Sequence, residues 1–424
     1  MSLFSALNSA VSGLTAQSAA LATISTNIAN ASTTGYKVEE TDFDSLVSGS
    51  ATSGSSSSNL GVSTSAYREM SAQGEISSTS TTTNMAINGS GMFVVSASDT
   101  DTTPGTDLYT RDGSFSANSD GYLVNDSGDY LMGYATDSSG TPTSASAGSL
   151  TGLTAIQIPE TTSVTATTEA SIVANLPADL TTGDSVTSSM QVIDSQGTTQ
   201  TIGETWTKTA SDSWTLSLAS PYSTDSSTST GTISPSSISI SFDSNGVLTS
   251  PTGTTAISMT LNSGATSSFA LNLGTAGDTD GLTQYASSDS SAAISITSNT
   301  QNGSSAGSLS SVAIGTDGLV TATYSNGESV KVAKVPLATF ADEEGLTALS
   351  GSTYSASTTS GSATLSTAGA NGSGTITGSA LEASGTDTAT EFDQMIVAQQ
   401  AYSAAAQVVT YVDRMYSSLV QAMG

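Results

Sequence analysis

The chain has 424 residues and a formal net charge of −29, from 7 Lys plus Arg against 36 Asp plus Glu, and it contains neither Cys nor His. The negative field excludes nucleic acid and anionic membrane as partners. The missing thiols and imidazoles exclude disulfides, the commonest metal ligands and the commonest general base.

In chain order, the first feature is a helix over residues 3–28. Leu7, Leu14, Leu21 and Ile28 recur every seven residues, with Phe4 and Val11 interleaved, the seam a helix needs to pack along another helix. Met1-Ser2-Leu3-Phe4 carries no basic segment, apolar run or cleavage site, so no cleaved secretory signal is expected. No stretch approaches the roughly 20 apolar residues of a membrane span, so no membrane insertion is expected. The helix stops in Asn27-Ile28-Ala29-Asn30 and Thr34-Gly35-Tyr36-Lys37, where Asn, Thr and Gly supply the geometry of a chain reversal. Residues 36–84 read as a linker. Its Ser/Gly/Thr-rich part, 48–66, is expected to be ordered only where neighbours hold it.

From Met85 the pattern turns to short period-two strands broken by Gly turns, as in Asp120-Gly121-Tyr122-Leu123-Val124, a hairpin signature. Residues 85–155 are the first part of a β domain. Residues 156–305 read as a second β domain inserted into it, anchored on Trp206 and Trp214, with turns at Asp194-Ser195-Gln196-Gly197 and Asp243-Ser244-Asn245-Gly246. Residues 306–382 resume the first domain. Residues 383–424 form the last helix, with Thr388 and Glu391 at capping-box spacing. Its seam is Met395, Tyr402, Val409, Tyr416 and Met423, flanked by Phe392. A polar series, Asp393, Gln400, Gln407, Arg414 and Gln421, runs along another face. The expected fold is therefore mixed but mainly β: two nested β domains plus N- and C-terminal helices that pair as a coiled-coil-like inner layer. Neither helix can bury its seam alone, so both termini are expected to lack order in the isolated chain and to fold on assembly.

Several stretches resemble one family. Asn27, Asn30, Gly35, Tyr36 and Lys37 fall in a signature similar to the N-terminus of bacterial flagellar rod and hook proteins. Glu391-Phe392-Asp393-Gln394-Met395 through Tyr402 is similar to their C-terminal helix, and Ala86-Ile87-Asn88-Gly89 and Tyr109-Thr110-Arg111-Asp112-Gly113 to their shared β domain. Leu282-Thr283-Gln284-Tyr285, Tyr324-Ser325-Asn326-Gly327 and Val335-Pro336-Leu337 resemble the hook branch rather than the rod branch. Glu382-Ala383-Ser384-Gly385 departs from the usual family run before the last helix.

The resemblance implies a structural subunit that leaves the cell through the flagellar type III export apparatus and polymerises with itself into a curved tube, a universal joint between motor and filament. It implies an extracellular place in the flagellum, beside rod proteins, hook–filament junction proteins and a hook cap. The self-assembly seam would be Phe4, Leu7, Val11, Leu14, Leu21 and Ile28 with Phe392, Met395, Tyr402, Val409, Tyr416 and Met423. Gln400, Gln407, Arg414 and Gln421 would face the export channel, since uncharged amides let unfolded chains slide without sticking.

The competing expectations are a distal rod subunit of the same family and a secreted Ser/Thr-rich β adhesin. An enzyme is not expected. Without His or Cys it would need a Ser/Lys or carboxylate pair, and Lys occurs only at 37, 208, 331 and 334. No cofactor or metal is expected either: Asp278-Thr279-Asp280-Gly281 begins like a calcium loop but lacks the downstream glutamate pattern.

Overall fold

The computed structural model describes residues 3–48, 58–99, 107–143, 150, 152–223, 228–287 and 293–423. The fold is mainly β, with one helix at each end of the chain: α1, Leu3–Ala29, and α2, Thr388–Met423. The chain divides into two compact units. The first holds residues 1–159, 311–323 and 329–424, and the second holds 160–310 with 324–328.

In the first unit, both terminal segments are continuous helices that pack on each other within one chain, which differs from the expectation that they order only on assembly: each helix covers part of the other's apolar face. Thr15, Thr23 and Thr26 tie their hydroxyls back to the carbonyls of Val11, Ala19 and Ala22, so α1 tolerates them in its interior. The apolar side chains α1 buries are mostly small: Ala10, Ala16 and Ala20, with Ile24. Small residues let a helix approach its neighbours closely.

Beside α1, β1 (Glu39–Ser48) and β2 (Ser58–Arg68) form an antiparallel hairpin within the stretch expected to be a linker. The neighbour that holds it is α1. The Val62 N–H donates to Ser12 Oγ (3.2 Å), and the Thr41 hydroxyl donates to that of Thr23 (3.0 Å). At Gly61, φ is +119° and an added Cβ would lie 2.1 Å from Ser12 Oγ, so glycine there permits the close approach.

The rest of the first unit is a thirteen-stranded sheet system whose centre runs Tyr130–Ala135, Met92–Ser96, Leu108–Thr110. Met92–Ser96 is buried throughout, as expected of a central strand covered on both faces. The chain that follows the second unit adds to this sheet: Ser329–Lys334 pairs with Tyr130–Ala135, and Pro336–Thr339 pairs with Met92–Ser96. Met92, Val94, Tyr109, Tyr134 and Tyr354 fill its core. Two short pairings then lead to α2. Thr375–Gly378 lies against Met85–Asn88, and Ala380–Glu382 lies against Ile76–Ser78.

The capping-box expectation for α2 needs correction. Asp387 is the cap: its Oδ1 accepts from the N–H groups of Ala389 (2.9 Å) and Thr390 (3.5 Å). A carboxylate one residue before the first helical residue reaches these free N–H groups, and Glu391 is thereby left to turn elsewhere.

The second unit is a β-sandwich of two six-stranded sheets. One has Glu169–Pro177 near its centre and the other Thr199–Ala210 and Ser213–Leu218, each with the alternating burial of a strand that faces a partner sheet. Trp206 and Trp214 are fully buried in the shared core. Their indole N–H groups donate to Ser188 Oγ (2.7 Å) and Gln284 Oε1 (2.8 Å), which removes the cost of burying them. The expected turns at Gly197 and Gly246 sit at φ +85° and +77°. The Asp278–Gly281 stretch is a turn in which Asp280 accepts from the Thr275 N–H and hydroxyl, both at 2.7 Å.

Candidate assembly site at the joined chain ends

The family-signature residues converge where α1 ends and α2 begins. Asn27, in the last turn of α1, is 2 % exposed and uses all four of its hydrogen-bonding positions. Its Nδ2 donates to Glu391 Oε1 (2.9 Å) and to the Glu39 carbonyl (2.8 Å). Its Oδ1 accepts from the Glu39 N–H (3.0 Å) and from the Tyr36 hydroxyl (3.1 Å). One amide thus joins α1, the reversal after it, the start of β1 and the first turn of α2. Burial raises the Glu391 carboxyl above its ordinary value, with the Asn27 amide opposing. Asn30 serves the turn alone, donating to the Thr26 carbonyl (2.9 Å) and accepting from Thr33 (3.1 Å).

A few ångströms of chain further on lies a buried ion cluster. Lys37 donates to Glu382 Oε1 (2.8 Å) and to the Ala72 carbonyl, while Arg111 reaches Glu382 Oε2 (3.4 Å). The Gly74 N–H adds a third contact to the carboxylate at 3.0 Å. All three charged side chains are buried. Burial, and after it the nearby Arg111, pull the Lys37 ammonium below its ordinary value, with Glu382 opposing. Gly35 has φ +64°, its N–H donates to the Glu382 carbonyl (2.9 Å), and an added Cβ would stand 2.7 Å from the Arg111 carbonyl carbon. Glycine is therefore required for the reversal to nest against Arg111. Tyr36 carries the Arg68 guanidinium 5.7 Å from its ring centroid.

Glu382 and the role of Glu391 were not visible in the sequence. A single glutamate before a helix has no periodicity, and its partner lies 345 positions away. The available signal was the buried lysine of the signature, which demands an anion somewhere in the fold.

The seam positions are distributed along the helix pair. Phe4 (72 % exposed), Val11, Phe392, Tyr402 and Tyr416 (59 %) stay largely exposed, and Leu7, Leu14, Leu21, Ile28, Met395 and Val409 are half-buried. The side chain of Met423 lies outside the described residues. Phe4 and Leu7 border one apolar cleft together with Val409, Val412, Tyr416 and Leu419, so seam residues from both helices meet at that end of the pair. Gln400, Gln407, Arg414 and Gln421 are all exposed. The geometry is that of a helix pair locked at one end by buried polar contacts and left apolar and uncovered along its outer faces.

Asn27→Ala is expected to lower the stability of the first unit by roughly 2–3 kcal/mol, because it strands the Glu391 carboxylate and the Tyr36 hydroxyl. Urea unfolding followed by the far-UV helix signal checks this, and a loss below about 0.5 kcal/mol would contradict the contact's role.

Four family models match the chain. That for flagella basal body rod proteins covers residues 7–37, and that for the flagellar hook protein FlgE/F/G D1 domain covers 86–175. The flagellar basal body protein FlaE D2 domain covers 158–304, and the flagellar basal body rod FlgEFG protein C-terminal model covers 377–422. The flagellar hook protein FlgE of Brucella abortus is 33 % identical over 412 residues, 96 % of each chain. That of Salmonella typhimurium is 30 % identical over 421 residues, 97 % of this chain and 98 % of its own. The crystal structure of Helicobacter pylori flagellar hook protein FlgE2 overlaps 71 % of this chain and 98 % of its own, at 14 % identity and a TM-score of 0.49. The Brucella and Salmonella relatives favour neither the rod-subunit nor the adhesin expectation. With such identity sustained from end to end, and with its signature residues built into the contact that joins its two ends, the chain belongs to the bacterial flagellar hook protein family.

Proposed function

We propose that the chain polymerises with copies of itself, through the outer faces of α1 and α2, into the tube of the flagellar hook. The observation that carries this is the row of large apolar side chains left uncovered on a formed helix pair: Phe4, Val11, Tyr402, Tyr411, Tyr416 and Leu419. Exposed apolar surface on this scale is costly in water and marks a surface to be covered, and repeated head-to-tail contacts between identical chains generate tubes. The paired helices form the inner layer around the export channel, and the β part of the first unit surrounds it. Small Ser, Thr and Gly side chains on the β surfaces tolerate several packing registers, which suits a tube that bends as it turns. The subunit reaches its place outside the cell through the type III export apparatus, with rod proteins below, junction proteins above and a cap at the growing end.

Electron microscopy of basal bodies from cells lacking the gene tests this reading. Complete rods ending without hooks are expected, and intact hooks carrying filaments would overturn it.

Within the reading, Gln400, Gln407 and Gln421 face the channel, with Arg414 on the same stripe. Leucine at both Gln400 and Gln407 is expected to slow filament growth severalfold, since passing chains would adhere to an apolar wall. Growth rates of labelled filaments give the answer, and unchanged growth would sink the lumen assignment.

A further inference from the structure

The helices are almost devoid of charge. α1 contains no Asp, Glu, Lys or Arg, and α2 contains four charged residues: Glu391, Asp393, Asp413 and Arg414. Glu391 is buried and turned to Asn27. Asp413 borders the cleft that holds Phe4 and Leu7. Asp393 and Arg414 remain. Both are exposed, and neither has an ion-pair partner among the described residues.

They stand three heptads apart, and because a heptad drifts by about 20° on a straight helix they lie about 60° apart around α2, toward opposite edges of the stripe that holds Gln400 and Gln407, where each can meet a neighbouring helix. At about 1.5 Å of rise per residue their backbones are separated by about 31 Å, so they cannot meet within one chain. On a chain of net charge −29, six of the seven cations are buried or half-buried, and Arg414 is the one in the exposed class.

Resting on the reading that copies assemble through their terminal helices, we propose that Arg414 of one copy pairs with Asp393 of a second copy displaced along the helix axis by the length of that stripe. Within a layer built of these two helices, the anions open to Arg414 are Asp393 and Asp413. Asp413 adjoins Arg414 in sequence and projects about 100° around the helix from it, so its own copies sit beside Arg414's own copies and supply no axial offset. Pairing with Asp393 sets the stagger between neighbouring chains, as charges flanking a helix seam set register in coiled coils. The apolar seam alone repeats every seven residues and would accept slipped registers. Of the two anions, Asp393 alone meets Arg414 across an axial offset, and its separation of three repeats admits one such register.

The test uses the full chain in cells lacking their own copy of the gene. D393R and R414D alone are each expected to lower the number of hooks by about tenfold, because each sets like charges against one another at every contact. The double variant D393R/R414D restores the pairing with its sign exchanged and is expected to recover most of that loss. Normal hook numbers in either single variant, or a double variant no better than the singles, would overturn the proposal. Helix content of the secreted monomers, measured by circular dichroism, separates lost pairing from lost folding.

Because the chain has no cysteine, D393C/R414C gives a second and independent answer. Oxidised hooks are expected to yield a ladder of covalent multimers that neither single variant gives, and assembled hooks with no ladder would overturn the pairing. Failure of the unsubstituted chain to restore hooks would instead count against the hook-tube reading itself.

Discussion

Replacing Glu382 with alanine is expected to destabilise the first unit by roughly 3–5 kcal/mol, the cost of leaving a buried charge without its partner. Two cations are involved. Lys37 and Arg111 are 1 % and 3 % exposed and both end on this carboxylate, so its removal leaves an uncompensated double positive charge in the interior. The Gly74 N–H loses its acceptor as well. The damage falls on the strand pair Ala380–Glu382 with Ile76–Ser78, and thus on the short path by which the chain reaches α2. Denaturant unfolding followed by the helix signal should show the loss. The same protein should also become susceptible to brief proteolysis near residues 383–390. A triple variant, K37M/R111M/E382L, separates charge from shape. If the cost comes from unpaired charge, the apolar triad should recover most of it, since buried ion clusters are often replaceable by well-packed apolar groups. A loss below about 1 kcal/mol for E382A would mean that water reaches the cluster and screens it.

Residue by residue, what the sequence made legible is what local physics determines. Asp194 through Gly197 and Asp243 through Gly246 were turns because Asp can bridge its own backbone and Gly accepts positive φ. In the structure the Asp194 and Asp243 carboxylates each accept from backbone N–H groups two and four residues on. Trp206 and Trp214 could be assigned to a core because few surfaces keep an indole wet. The helices were legible from their period, and the chain reversal after α1 from its Asn, Thr and Gly.

Pairing at a distance was not legible. Asn27 meets Glu391 across 364 positions, and no local rule prefers that glutamate to the local capping role its spacing suggested. The β1–β2 hairpin reads as a linker in the sequence because its Ser and Thr carry little apolar signal. Its order comes from α1, through Ser12 and Thr23, and so depends on tertiary context. The side of α1 most deeply buried in one chain was missed for a related reason. Large apolar residues carry the periodic signal, whereas Ala10, Ala16 and Ala20 bury because their size permits close approach, and the large seam residues are left half-buried or exposed.

Glu204→Gln is expected to stabilise the second unit, and to do so only above mildly acidic pH. Glu204 lies on the core-facing side of Thr199–Ala210, between Ile202 and Trp206, and is 1 % exposed. Its Oε2 accepts from the Ser188 hydroxyl, while Oε1 has no partner among the described residues. Lys208, four residues on along the same face, offers no neutralisation, because its ammonium is spent on the carbonyls of Ala178 (2.5 Å) and Leu180 (3.0 Å). Burial pushes the Glu204 carboxyl up to about 7, with Ser188 opposing.

The sign follows from which state holds the proton more tightly. The folded unit keeps it to about pH 7, whereas the unfolded chain releases it near the ordinary carboxylate value of about 4.3. Between those limits the folded state binds more protons than the unfolded one, so stability falls as pH rises and levels off above about 7. At about 1.4 kcal/mol per pH unit the total is on the order of 4 kcal/mol. Glutamine keeps the shape and removes the titration. The variant should match the parent at about pH 4 and exceed its unfolding midpoint by roughly 8–16 °C at about pH 8. The chain's two tryptophans both lie in the second unit, so their fluorescence reports its melting without interference from the first. A parent whose midpoint is flat from about pH 4 to 8 would show that Glu204 is ionised in the folded state and reached by water.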